Sequence, residues 1–170
     1  MTRVAVVGNV GGGKSTLCRH LSQELGLPLL SIDQIQWKPN WKPAPYEEIK
    51  IKHNEIVFQN RWIIDGWGPN DLIRERFDLA DTIIFIDHPL WVHYWWTIKR
   101  QIKTIFRERI DEPEGCPMLP MTWLILKMIW VIHQSSRPWI LQEIQKLKVN
   151  DKQVIHIRSP RQLRLFKGRM

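Results

Sequence analysis

The pattern with the most specific chemistry lies near the start of the chain, where residues 8–15 read Gly-Asn-Val-Gly-Gly-Gly-Lys-Ser. This run fits the Walker A pattern G-x-x-x-x-G-K-[ST], in which backbone N–H groups surround a β-phosphate at the start of a helix. Lys14 is expected to reach the β- and γ-phosphates, and the Ser15 hydroxyl is expected to bind Mg²⁺. An apolar run before it and a helical pattern after it disfavour an ordinary glycine-rich turn. We therefore expect ATP or GTP to bind a phosphate loop made of Gly8, Asn9, Val10, Gly11, Gly12, Gly13, Lys14, Ser15 and Thr16.

Aspartates follow three of the predicted strands: Asp33, Asp65 and Asp87. In a parallel sheet, ligands bind beyond the carboxyl ends of the strands, so these side chains are expected near the phosphate loop. Asp65 is the candidate for holding Mg²⁺ through water, and Asp33 for orienting an acceptor and accepting its proton. Each aspartate also has a structural interpretation, because Asp is common in turns and at helix N-caps.

Arginines further along the chain have the spacing of a helix face. Arg100 and Arg107 are seven residues apart, and Arg109 follows just before the turn-rich residues 111–117. Arginines so placed can stabilise charge that develops on a transferred phosphoryl group, and we interpret residues of about 100–118 as a lid. A solvated basic face is the alternative. The expected catalytic residues are Lys14, Asp33, Asp65, Arg100, Arg107 and Arg109.

The elements that must position these residues alternate between apolar runs and helical patterns. Predicted strands cover residues 3–8, 28–32, 62–64, 82–86 and 154–157. Predicted helices cover residues 15–25, 46–60, 71–79, a stretch from 90, 121–147 with a break at Pro138, and a stretch from 161. A loop is expected after the second strand. This order predicts one α/β domain over residues 1–170, with a parallel sheet covered on both faces.

Composition limits the classes of ligand and partner that we expect for this protein. The net charge of +8 fits an enzyme for polyanionic substrates or a nucleic-acid binder. Ten tryptophans are present, and we expect most to fill a core or groove rather than to stack on bases. The longest apolar stretch, residues 119–132, is interrupted by Lys127, so no membrane span is expected.

Other features favour a cytoplasmic protein. The first strand begins three or four residues from Met1, so we expect no signal peptide. Cys18 and Cys116 are interpreted as reduced thiols rather than a disulfide framework. The histidines show no metal-ligand spacing, so no transition-metal site is proposed.

Several segments together resemble one family. They are the phosphate loop, Asp33 with Trp37 and Trp41, and the runs at residues 62–66, 80–87, 114–117 and 159–163. Over nearly its whole length the chain resembles the adenylate-kinase-related proteins called FlaR-like or DNA-topology-modulation proteins. The Glu-Gly-Cys-Pro run at 114–117 and the Ser-Pro-Arg-Gln-Leu run at 159–163 are narrower markers than the phosphate loop. The resemblance implies a P-loop NTPase fold of nucleoside-monophosphate-kinase type. Its five parallel strands would have the order 2-3-1-4-5, with a lid between the fourth and fifth.

The resemblance also implies roles for residues. Asp65 with Gly66 matches the Asp-Gly of adenylate kinases, in which the aspartate helps to organise Mg²⁺. Asp33 matches the position of an acidic acceptor-site residue in small-metabolite kinases of the same fold. Adenylate kinases continue with Phe-Pro-Arg, whereas this chain continues Trp-Gly-Pro at residues 67–69. The next arginines are Arg74 and Arg76, so the acceptor candidates are Asp33, Trp37, Arg74 and Arg76. The family's fold places the base beside Arg158, Ser159 and Pro160, with adenine expected over guanine.

Two functions of different classes follow. The first is an ATP- and Mg²⁺-dependent kinase of a nucleotide, nucleoside or other small metabolite. The second is a nucleotide-switched regulatory or DNA-associated protein, although no DNA-reading pattern is found in the sequence. The sequence leaves the acceptor and the oligomeric state open.

Overall fold

A computed structural model describes residues 1–104, 120–148 and 152–170. Its strands, in chain order, are β1 (Arg3–Gly8), β2 (Leu29–Ser31), β3 (Trp37–Lys38), β4 (Lys42–Pro43), β5 (Trp62–Asp65), β6 (Thr82–Ile86) and β7 (Gln153–Ile157). Five of them form a parallel sheet in the order β2-β5-β1-β6-β7, and β3 pairs with β4 in a small antiparallel hairpin. Counting only the five sheet strands, the order is 2-3-1-4-5, so the expected α/β fold is confirmed.

Helices cover both faces of this sheet. They are α1 (Lys14–Leu25), α2 (Ile32–Gln36), α3 (Tyr46–Val57), α4 (Asn70–Leu79), α5 (Leu90–Thr104), α6 (Thr122–Val131), α7 (Arg137–Lys148) and α8 (Pro160–Lys167). A 3₁₀ turn spans Pro39–Trp41, and a π-helical segment spans Ile132–Ser136. None of the described helices is long and apolar enough to cross a membrane.

The core has one layer on each face of the sheet. Along β1, Ala5 and Val7 belong to one cluster of buried residues, and Val4 and Val6 belong to the other. Helices α3, α4 and α7 supply the first layer, and α1 and α8 supply the second. Because both faces are covered, the sheet strands read as continuous apolar runs rather than as alternating ones.

The strand register brings the polar strand ends together. Asp65, the last residue of β5, lies opposite Val6 of β1 and Ser31 of β2. Ser31 precedes α2, and β1 runs directly into the phosphate loop. The two candidate carboxylates and the phosphate loop therefore meet at one edge of the sheet, as parallel strands require.

Two local predictions were wrong. The expected loop after β2 contains the short helix α2, so Asp33 lies in a first helical turn rather than in a loop. The α-helical run after residue 121 is interrupted, but at residues 132–136 and not at Pro138, which is the second residue of α7. The π-helical segment precedes it, and the Arg137 N–H donates to the carbonyl of Ile132, five residues back. The π-helical turn contains one residue more than an α-helical turn, and it lies just before the proline, which has no N–H to donate to a helical hydrogen bond.

Candidate functional site

The phosphate loop has the backbone of an anion cradle. Gly13 has a φ of 84° and directly precedes α1, whose N-terminus has no side-chain cap and no acidic residue in its first turn. Unpartnered N–H groups at a helix start, with the positive end of the helix dipole behind them, attract phosphate oxygens. Gly11 has a φ of 71°, and a Cβ there would lie 2.3 Å from Thr97 Oγ1. Helix α5 therefore packs so closely on the loop that only glycine fits.

Asn9 and Lys14 fix the inside of the loop. The Lys14 ammonium donates to the carbonyl of Asn9 at 3.1 Å, which holds the cation across the cradle. The Asn9 side-chain carbonyl accepts from the N–H of Val10 at 2.7 Å. The Asn9 amide donates to the carbonyl of Ile129 in α6 at 2.8 Å, across 120 residues of sequence. A buried amide with both ends bonded holds this part of the loop in one shape.

Asp65 is a buried carboxylate beside the phosphate loop. It is 2% exposed, and its Oδ1 has no hydrogen-bond partner within the described ranges. Burial raises the pKa of the Asp65 carboxyl, while the nearby Lys14 ammonium and Ser15 hydroxyl act to lower it. Mg²⁺ in proteins takes oxygen ligands and keeps waters that donate to carboxylates. An unpartnered carboxylate oxygen next to a serine hydroxyl therefore fits the water shell of a Mg²⁺ ion.

Asp33 borders the same position from α2. Its Oδ1 lies 3.4 Å from the position that a Cβ on Gly66 would occupy. Gly66 directly follows Asp65 in the sequence. The Asp33 side chain is exposed, whereas Asp65 is buried. The negative charge of Asp33 is close enough to raise the pKa of Asp65. The structure thus places one buried and one open carboxylate side by side.

Arg76 is completely buried behind these carboxylates. Its guanidinium donates to the carbonyls of Leu72 at 3.2 Å, Gly66 at 3.1 Å, and Trp67. Burial lowers the pKa of Arg76 to about 10, opposed by the charges of Asp65 and Asp33. This expected acceptor-binding arginine therefore braces the turn after β5.

The other two acceptor candidates, Arg74 and Trp37, are less buried than Arg76. Arg74 is exposed on α4, where it pairs with Glu143 of α7 at 3.5 Å and stacks over the Trp139 ring at 5.4 Å. Trp37 lies in the hairpin after α2, with its ring 5.7 Å from that of Trp41 in an edge-to-face arrangement. Trp37 therefore follows Asp33 closely, whereas Arg74 contacts α7.

Helix α5 supplies neighbours of the phosphate loop that the sequence analysis missed. His93 Nδ1 lies 2.9 Å from the carbonyl of Val10. Because a carbonyl only accepts, Nδ1 must carry the proton. Burial lowers the pKa of His93 to about 4, so the ring is neutral at pH 7. The available signal was a polar residue at every fourth position of an aromatic-rich helix, namely His93, Thr97 and Gln101.

Most of the predicted lid lies outside the residues that the structure describes. Arg100 is partly buried on α5, whereas Arg107, Arg109 and Cys116 lie outside the described residues.

Asp87, the third strand-end aspartate, is bonded to Arg137 of α7 at 2.6 and 3.0 Å and to His156 of β7 at 3.0 Å. Burial raises the pKa of Asp87, but these hydrogen bonds lower it below its usual range. Asp87 therefore ties β6 to α7 and β7.

The segment expected to hold the base lies at the start of α8. Ser159 Oγ accepts from the N–H of Gln162 at 3.2 Å, and Gln162 Oε1 accepts from the N–H of Arg158 at 2.6 Å. Pro160 occupies the first helical position. Leu163, one turn later, lies 3.3 Å from the point where a Cβ on Gly13 would stand. The capped start of α8 is therefore held next to the phosphate loop.

Comparison with known proteins identifies the fold. No family model matches the chain, and no curated protein matches its sequence. Among solved structures, the shikimate kinase of Acinetobacter baumannii in complex with shikimate is similar at 15% identity over 99% of this chain and 90% of that chain, with a TM-score of 0.54. A candidate kinase from Chloroflexus aurantiacus is similar at 14% identity over 99% and 96%, with a TM-score of 0.53. At these identities the likeness shows a shared fold, with a five-stranded parallel sheet flanked by helices.

Proposed function

We propose that this chain is a P-loop phosphotransferase that moves the γ-phosphoryl group of ATP to a small-molecule acceptor. One observation carries the proposal: the phosphate loop, the Lys14 ammonium, the buried Asp65 and the open Asp33 meet at one edge of the sheet. A cradle for phosphates, a partner for a metal and a group that can orient an acceptor are the parts that phosphoryl transfer requires. The two similar folds reported above, described as a kinase and a candidate kinase, support it.

On this proposal the loop and Lys14 bind the triphosphate, and Ser15 and Asp65 hold Mg²⁺, Asp65 through water. When bound, Mg²⁺ neutralises charge on the β- and γ-phosphates. The buried position of Asp65 suits this role, because a charged carboxylate there is stabilised when a cation is its partner. The start of α8, with Arg158, Ser159 and Pro160, is proposed to border the base.

Asp33 is proposed to accept the proton of the acceptor hydroxyl. Its exposure leaves it open to an acceptor, and Gly66, which it borders, directly follows Asp65, the proposed partner of Mg²⁺. Trp37, in the hairpin that follows α2, is proposed to contact the acceptor. Arg76 acts as a positioning residue, since its donors hold the carbonyls of Gly66 and Trp67. The acceptor class remains a nucleotide, nucleoside or other small metabolite.

Membership of the FlaR-like family is also part of this proposal. The FlaR-like, adenylate-kinase-related resemblance is supported by Asp65 with Gly66 at the end of β5 and by the Ser-Pro-Arg-Gln-Leu run at the start of α8. A single domain with a lid between the fourth and fifth sheet strands is part of this proposal.

A transfer assay tests the activity. The full chain is incubated with γ-labelled ATP, Mg²⁺ and a panel of nucleosides, nucleotides and metabolites, and labelled products are separated. We expect a labelled product with at least one acceptor, and its loss in Lys14→Ala. Lys50→Ala, an exposed lysine of α3, is the matched control and should keep the activity. Absence of any labelled product, together with equal ATP affinity in wild type and Lys14→Ala, would contradict the proposal.

One observation favours the second candidate, a DNA-associated protein. The described C-terminal residues 152–170 contain no acidic residue, and the following cations are arranged along and around α8: Arg158, Arg161, Arg164, Lys167 and Arg169. Binding to duplex DNA through such residues weakens steeply as the salt concentration rises. The slope of log affinity against log salt concentration is proportional to the number of DNA phosphates that the protein contacts. Steeply salt-dependent binding that Arg161→Ala and Arg164→Ala weaken would support this candidate.

A further inference from the structure

Helix α5 buries several polar side chains and exposes several large apolar ones. His93 and Thr97 are buried against the phosphate loop. Trp91 and Trp95, on the opposite face, are 68% and 58% exposed, and Ile98 and Ile102 continue that face one and two turns later. A helix on the surface of a globular protein normally has the reverse arrangement. The outward face of α5 is therefore built for contact with something other than water.

Helix α6 is apolar nearly all round. Its sequence is Thr-Trp-Leu-Ile-Leu-Lys-Met-Ile-Trp-Val, and only Ile125 and Ile129 are buried. Trp123 is 69% exposed. Four more apolar side chains are also exposed, namely Leu124, Met128, Trp130 and Val131. A helix that is apolar on all sides is normally buried.

The exposed sides of the two helices form one surface. Helices α5 and α6 pack against each other. Tyr94 of α5 lines a groove of about 420 Å³, and the rest of its lining comes from α6, namely Trp123, Leu126, Lys127, Trp130 and Val131. We call the outward sides of α5 and α6, with this groove, the α5–α6 face.

The area of the α5–α6 face is that of a stable protein interface. Nine large apolar side chains of the two helices are exposed: Trp91, Trp95, Ile98, Ile102, Trp123, Leu124, Met128, Trp130 and Val131. Together they leave on the order of 1,000 Å² of apolar surface in water, if an exposed aromatic side chain offers about 150–250 Å². The largest patch on a typical monomer is about 300–600 Å². A standard interface buries about 800 Å² on each partner.

Charge on the α5–α6 face is sparse. Neither α5 nor α6 contains an acidic residue. Lys127 lies beside the groove with its ammonium 5.6 Å from the centre of the Trp123 ring, and Lys99 is exposed on α5. A cation that rests on an aromatic ring can stay within an apolar contact. An apolar, aromatic surface with few charges is the composition of a homodimer interface.

We propose that a second copy of this chain covers the α5–α6 face in a two-fold symmetric dimer. A two-fold dimer uses the same patch on both subunits, so a self-complementary apolar face of this area suffices without a further partner. The proposal does not depend on the phosphotransferase activity, because none of the residues proposed above to bind phosphate, Mg²⁺, base or acceptor lies on the α5–α6 face.

Sedimentation velocity over a range of micromolar concentrations tests the proposal on the full chain. We expect the wild type to sediment at twice its chain mass of 20.4 kDa. Trp95→Glu and Trp123→Glu should each raise the dimer dissociation constant at least about thirtyfold, as loss of a central tryptophan contact does. Phe58→Glu is the matched control, since Phe58 is 64% exposed at the end of α3, outside the α5–α6 face. It should leave the dimer intact.

Several outcomes would overturn the proposal. They are a monomeric wild type, an unchanged dimer in both glutamate variants, and equal dissociation by Phe58→Glu. Flotation of a monomeric wild type with phosphatidylserine-containing vesicles, lost in Trp95→Glu, would show that a bilayer surface covers the α5–α6 face instead. Circular dichroism checks folding. If a glutamate variant is unfolded, Trp95→Gln and Trp123→Gln replace it and are judged by the same criteria.

Discussion

Gly11→Ala gives a sharp test of how helix α5 supports the phosphate loop. Gly11 has a φ of 71°, and an added Cβ would lie 2.3 Å from Thr97 Oγ1 and 2.8 Å from the carbonyl oxygen of His93. The left-handed backbone costs alanine about 1–2 kcal/mol, and overpacking a buried site costs about 1–3 kcal/mol more. We expect the free energy of unfolding to fall by about 2–5 kcal/mol, a large part of the usual total.

Gly26→Ala separates the two costs. Gly26 has a φ of 60°, but among the described residues, its two chain neighbours aside, no atom lies within 4 Å of an added Cβ. It should therefore lose only the backbone term of about 1–2 kcal/mol. Both variants are compared by urea unfolding, and ATP binding is measured by calorimetry. Gly11→Ala should weaken ATP binding because the loop must shift away from α5, whereas Gly26→Ala should leave it unchanged.

A second substitution identifies the neighbour responsible. Thr97→Ala removes the atom nearest to the new Cβ, and Thr97 Oγ1 has no hydrogen bond within the described part of the chain that would be lost. The double variant should therefore be more stable than the sum of the single effects by about 0.5–3 kcal/mol. If Gly11→Ala costs no more than Gly26→Ala, α5 does not pack on the loop as described. If only the relief by Thr97→Ala is absent, the backbone carbonyl of His93, and not Thr97 Oγ1, is the contact that resists the added Cβ.

Three further predictions concern titratable side chains in and beside the candidate site. Lys14→Ala should weaken ATP binding at least roughly tenfold without unfolding the protein, because a hydrogen bond to a charged group contributes about 1.5–3 kcal/mol. Equal ATP affinities of Lys14→Ala and Lys50→Ala in calorimetry would show that Lys14 does not bind the triphosphate. Asp33→Asn should lower transfer to the acceptor more than it lowers background ATP hydrolysis, whereas Asp65→Asn should lower both rates. If the two variants give the same ratio of labelled product to free phosphate, Asp33 and Asp65 do not have separate roles. His93, whose pKa falls to about 4 in the folded protein, stays neutral where the unfolded chain takes up a proton, so stability should be lost as pH falls from about 6.5 to about 4. His93→Gln should remove up to about 3 kcal/mol of this loss in urea unfolding across that range, and an unchanged pH dependence would refute the buried neutral ring.

The sequence predicted best what is local in the chain. The phosphate loop is a contiguous pattern, and the sheet strands are continuous apolar runs, so both could be located from neighbouring residues. Helix α2 was missed because it has only five residues, which is too short for a periodic pattern to stand out.

The rest of the site depends on contacts between distant residues. Arg76 became an acceptor candidate because Arg74 and Arg76 are the first arginines after β5. The direction of its guanidinium, however, is set by the carbonyls of residues 66 and 67. Asp87 has its partners 50 and 69 residues away, in α7 and β7. The polar stripe of His93 and Thr97 was visible, but its inward direction follows from how α5 packs on the phosphate loop. A pattern along the chain predicts an element, and only the folded arrangement decides which way its polar side chains point.

Because the Asn9 amide donates to the carbonyl of Ile129, the phosphate loop does not keep its full set of hydrogen bonds when it is separated from α6. A fragment ending before residue 120 would keep every letter of the Walker A pattern, along with four of the five sheet strands. It would nevertheless lose the carbonyl that holds the Asn9 amide. A buried donor left without its acceptor costs about 1–3 kcal/mol, and in the fragment that cost would fall on the nucleotide-binding turn itself. The motif spans eight residues, but the conformation of its second residue depends on a helix about 120 residues further along the chain.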